Sequence, residues 1–160
     1  MSALTQRHTL TSWSAVSAAK GDDWFCYVAC IKPTYDHLIR LAGQISGMLI
    51  LSDGETRLEV LMNMPRSLSE QAEEVKATLM RIKPPKLGVD HLRHMVSSAV
   101  KLNGLARTLE AQVSVGAEPA VTCHWHRELS EILSLLKCAS DPWSGLQPVQ
   151  FEGCCACCAH

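Results

Sequence analysis

Along the chain, apolar residues fall into blocks of helical spacing separated by proline and glycine. The strongest block follows Asp90. Leu92, Met95, Val96, Ala99, Leu102, Leu105, Ala106, Leu109 and Val113 recur at intervals of three and four, which puts them on one face of a helix over 90–115. Gly116 and Pro119 close it. A last helix runs from Thr122 to Cys138, with Leu129, Ile132, Leu133 and Leu136 as its buried stripe. Upstream, Ser67 and Glu70 form a capping box ahead of a helix-forming run, which Pro84 and Pro85 stop.

The first third of the chain divides less cleanly. Asp22 and Asp23 cap a short helix through Trp24 to Ile31, and Pro33 ends it. A second helix opens at Thr34 and runs towards Leu51. Within it, Gly43 and Gly47 have the spacing of a close helix–helix approach, read here as core packing. Residues 48–62 support two readings. Ser52 with Glu55 is a capping-box signature, whereas Asp53 and Gly54 between apolar runs suit a β-hairpin. The helical flanks favour helix.

Together these elements predict an all-α fold: an irregular antiparallel bundle of four to five helices, with an extended cysteine-rich C-terminal tail. Residues 1–21 form a polar N-terminal segment, 22–139 the helical domain and 140–160 the tail. A length of 160 residues suffices for one domain with its own core.

Composition removes several function classes. A net charge of −1, few aromatic residues and no basic run argue against nucleic-acid binding. The most apolar run, Leu38 to Leu51, contains Arg40 and Gln44 and is too short to span a bilayer, so no transmembrane segment is expected. Residues 1–21 lack acids and carry seven Ser or Thr with Arg7 and Lys20, a faint likeness to an organellar transit segment. They lack the apolar core of a secretory signal. An intracellular address, cytoplasmic or organellar (mitochondrial included), therefore fits better, with cysteines reduced or metal-bound.

The chemistry concentrates in the tail. Cys154, Cys155, Cys157, Cys158 and His160 place four thiols and an imidazole within seven residues. Two interlocked Cys-x-x-Cys pairs suit Zn(II) or Cu(I), since thiolates are soft ligands. Adjacent cysteines point different ways, so one ion does not readily take all four. Cys123 and His126 can complete a site with two tail thiols if that stretch is helical. If it is extended, His124 and His126 share a side instead. Cys26 and Cys30, four apart on one helix face, are read first as small core residues and second as metal ligands. His91 and His94 lie three apart without a companion Glu-x-x-His motif.

Other signatures are missing. The sequence has no phosphate-binding glycine loop, nucleophile elbow or dinucleotide fingerprint. Beyond Lys137 there is no Lys or Arg to activate a thiol. The final Cys157-Cys-Ala-His160 fits a prenylation box poorly, so lipid anchoring is disfavoured. The expectation is a non-enzymatic helical interaction protein, an accessory subunit bound to protein partners, its tail fastened by metal or disulfide. Soft-metal handling of Cu(I) or Zn(II) is the alternative, and thiol–disulfide redox chemistry the third.

Overall fold

The computed structural model describes residues 21–50, 67–115 and 122–148. Their core is all-α. Four α-helices follow in order: α1 (Asp22–Ile50), α2 (Leu68–Arg81), α3 (Val89–Val115) and α4 (Thr122–Cys138). Two single 3-10 turns complete them, Lys86–Gly88 before α3 and Pro142–Ser144 after α4. No helix among the described residues is long and apolar enough to cross a membrane.

α1 joins what the sequence divides. Pro33 lies inside a continuous helix of 29 residues rather than ending a short one. Its ring removes one backbone hydrogen bond and crowds the carbonyl of Ala29, four residues earlier. Both residues face solvent, so water can serve that carbonyl. The buried stripe runs through the proline without a break: Val28, Ile31, Thr34, Tyr35, Leu38, Leu41, Ala42 and Ile45 keep the three–four spacing. Packing of that stripe outweighs the local cost. Met48, Leu49 and Ile50 complete the same helix, which takes the first strand from a hairpin over 48–62; residues 51–62 lie outside the described segments.

The other helices follow their sequence signals closely. Ser67 caps α2 by accepting a hydrogen bond from the Glu70 amide at 3.1 Å. The chain leaves helical geometry at Ile82, just before the paired prolines. In α3, Met95, Ala99, Leu102, Leu105, Ala106 and Leu109 are buried, with Leu92 and Val96 packed against the cluster. Leu129, Ile132 and Leu136 bury the inner face of α4. α3 packs against both α2 and α4, and α1 contacts all three.

Two expectations change. A Cβ added at Gly43 or Gly47 meets nothing within 4 Å, so no described neighbour approaches α1 there. The close approach occurs at Gly88 instead, where a Cβ would stand 3.1 Å from the Tyr27 ring and 3.1 Å from Pro85. In addition, the stretch expected to extend from residue 140 folds back as far as Pro148. Ala139, Asp141 and Leu146 are buried, and backbone bonds of 2.9 Å run both ways between Asp141 and Leu146. Gly145 permits this turn with a φ of 85°.

Candidate functional site

The start of α1 carries the densest polar chemistry of the described core. Trp24, Tyr27 and His91 pack ring against ring, with His91 edge-on to both partners at centroid distances of 5.6 and 5.5 Å. One nitrogen of His91, Nε2, lies 2.8 Å from the Ala139 carbonyl, and Nδ1 lies 2.9 Å from the Tyr27 hydroxyl. A carbonyl only accepts, so Nε2 donates; in the neutral ring Nδ1 then accepts from Tyr27. Beside them, the Trp24 indole N–H reaches Ser144 Oγ at 3.0 Å and Asp141 Oδ2 at 3.3 Å, while Ser144 donates to Asp141 at 2.6 Å.

This group contains the residue types of a hydrolytic triad, but its wiring differs. The serine bonds the aspartate directly, and the histidine spends both nitrogens on Tyr27 and Ala139. Nucleophilic catalysis needs a base within hydrogen-bond reach of the nucleophile. Here the groups satisfy one another within the network. The network ties α1, α3 and the segment after α4 together. Burial also raises the Tyr27 hydroxyl well above the ordinary tyrosine range.

The residues expected to bind metal are placed unevenly. Cys154, Cys155, Cys157, Cys158 and His160 lie outside the described residues. Cys123 occupies the first turn of α4, and His126 follows three positions later with its side chain exposed. This stretch is helical from Thr122 rather than extended, so Cys123 and His126 lie three apart along a helix. His124 is engaged locally: Arg127 donates to its Nδ1 at 3.1 Å, and its Nε2 stands 3.2 Å from Glu128. His91, buried with both nitrogens engaged, is not available to pair with His94. Among the described residues, no group of three or more His, Cys, Asp and Glu is placed to hold a metal ion.

Cys26 and Cys30 depart from the core reading. Both thiols are exposed, as is Cys138. Their face of α1 turns away from the buried stripe and lines an open groove of about 550 Å³. The Ile82–Pro85 link forms the other wall, so the prolines that stop α2 also shape this surface. The i, i+4 spacing announced that the two thiols share a face, but not which face. Asp23 and Asp22 at the helix start were the available signal, because charged neighbours on the same side mark solvent.

The chain matches no family model, no curated protein and no solved structure. Function therefore rests on the chemistry of the surface.

Proposed function

We propose that this chain is a non-enzymatic interaction protein, an accessory subunit that docks on protein partners through the end of the body where α1 begins. One observation carries the reading. Phe25, Leu87, Val89 and Trp143 are all exposed there, Trp143 by 79% and Leu87 by 63%. Each adjoins, along the chain, a residue packed at this end of the body. Phe25 adjoins Trp24, whose ring bonds Ser144 beside Trp143; Leu87 and Val89 flank Gly88, which abuts Tyr27. A contiguous apolar patch marks an interaction site, and these are the side chains that would form one here. The internally satisfied His91 network supports a structural rather than catalytic role for the same end.

The tail acts as a fastener in this reading. Its thiols close with Cys123 and His126, or with groups on a partner, through Zn(II) or disulfides. Soft-metal handling is the second reading, and the exposed positions of Cys26 and Cys30 favour it.

Native mass spectrometry of the chain purified from its source tests the proposal. The expected result is a stoichiometric protein complex that a combined Phe25→Ser, Leu87→Ser and Trp143→Ser variant fails to form while keeping its helical circular dichroism. A monodisperse wild-type monomer without a partner mass overturns it.

A further inference from the structure

We propose that Cys26 and Cys30 form a two-thiolate site for a single Cu(I) ion on the outer face of α1. Residues four apart on a helix stand one above the other, with Cβ atoms about 5–6 Å apart. Both thiols are exposed and both line the same groove. Two metal–sulfur bonds of about 2.3 Å each, laid nearly in line, span roughly 4.6 Å, which this spacing accommodates with ordinary rotamer adjustment.

The ligand set chooses the metal. Tetrahedral Zn(II) asks for four ligands, and no third His, Cys, Asp or Glu among the described residues joins the pair in a metal-binding group. Magnesium and calcium prefer oxygen. Cu(I) is soft, prefers thiolate and is satisfied by two. Binding converts two thiols and one Cu⁺ into a bis-thiolate complex of single negative charge, releasing two protons. No electron is transferred. The groove lining carries one cation, Lys83, and one carboxylate, Asp23, with Ile82, Pro84 and Pro85 as its apolar wall. The site needs only α1 and the link before α3, so it stands or falls independently of the docking surface.

Protection from alkylation tests it. The full chain is treated anaerobically with excess Cu(I) under ascorbate, labelled with N-ethylmaleimide and digested with trypsin. Pro33 blocks cleavage at Lys32, so both cysteines leave on one peptide, residues 21–40. The expected result is joint loss of both labels from that peptide. A second arm uses a chain in which Cys154, Cys155, Cys157 and Cys158 are all replaced by serine. There the pair stays protected by one equivalent of Cu(I), while Cys138 labels at its metal-free rate. Cys26→Ser or Cys30→Ser in that background weakens Cu(I) binding by about 10²–10⁴-fold, the loss of an intramolecular second ligand. Unchanged labelling of the 21–40 peptide in the full chain overturns the site. So does protection that disappears with the tail cysteines, or that survives in either single variant.

Discussion

Two polar networks hold the helices together, and they differ in depth. At the start of α1, Trp24, Tyr27, His91 and Asp141 are all buried and each spends its polar atoms on another buried group. Along the α2–α3 seam, Asn103 donates to the Ser69 carbonyl at 3.1 Å and to Glu73 at 3.0 Å, and Ser69 donates to Glu110 at 2.5 Å. Glu73 also takes Lys76 at 2.6 Å, with its side chain 44% exposed. The first network is mostly buried, and its groups bond one another. The second is charged and more open: Asn103 is itself buried, but Glu73 is partly exposed, so water can replace a partner lost there. An unsatisfied buried group costs more than a missing hydrogen bond at a surface.

His91→Ala should therefore have the largest effect. It strands the Tyr27 hydroxyl and the Ala139 carbonyl and leaves a cavity beside the Trp24 and Tyr27 rings. A loss of about 2–5 kcal/mol is expected from these terms, read from the urea midpoint. A change below about 1 kcal/mol, the size of an ordinary substitution, breaks the contrast between the networks.

The tyrosines probe the same depth without mutation. The chain has two, Tyr27 and Tyr35. Burial pushes Tyr35 up to about 12, helped by the neighbouring Asp36 carboxylate, and burial raises Tyr27 as well. A folded value above the unfolded one means that this stability is fully present below about pH 10. It is lost as pH rises through the folded values. Phenolate absorbance should thus show no ordinary tyrosine titration in the native chain, and should appear only together with loss of helical circular dichroism. A free titration near pH 10 with the helices intact contradicts the burial.

At the seam, Asn103→Ala should cost less, about 1 kcal/mol. Asn103 is buried, but the partly exposed Glu73 carboxylate can turn to water when the amide is gone. A loss equal to that of His91→Ala would place the seam among the buried networks.

The sequence foretells these two regions unequally. The stripes of α3 and α4 and the Ser67 cap are local signals, and the helices form where the spacing puts them. Continuity through Pro33 was also encoded, since the apolar spacing never breaks there, but the proline's local rule masks it. The partners of Trp24 were not legible, because Asp141 and Ser144 lie 117 and 120 residues away. No local pattern reports that distance. The exposed apolar residues of this end and the dithiol groove share this origin: each depends on which side of α1 the Ile82–Pro85 link and the residues after α4 cover. Cys26 and Cys30 read as core because cysteine is a small apolar residue, and only tertiary placement shows that they face out.

Glu73 gives the smallest and most condition-dependent effect. The Lys76 hydrogen bond chiefly lowers its carboxyl below the usual range, against desolvation as the next influence, with the charges of Lys76 and Arg107 and the Asn103 bond adding to the lowering. A depressed folded value contributes stability above the unfolded carboxylate value of about 4.3. That contribution disappears as pH falls through the folded value. Glu73→Gln should then be slightly less stable than the parent at neutral pH and low salt, with the difference closing on acidification. Added salt should shrink it too, because these charges are partly exposed and screened. Paired urea midpoints across pH and ionic strength measure both trends. A gap that widens in acid or persists unchanged in high salt would move Glu73 from the wet seam to the buried kind of network.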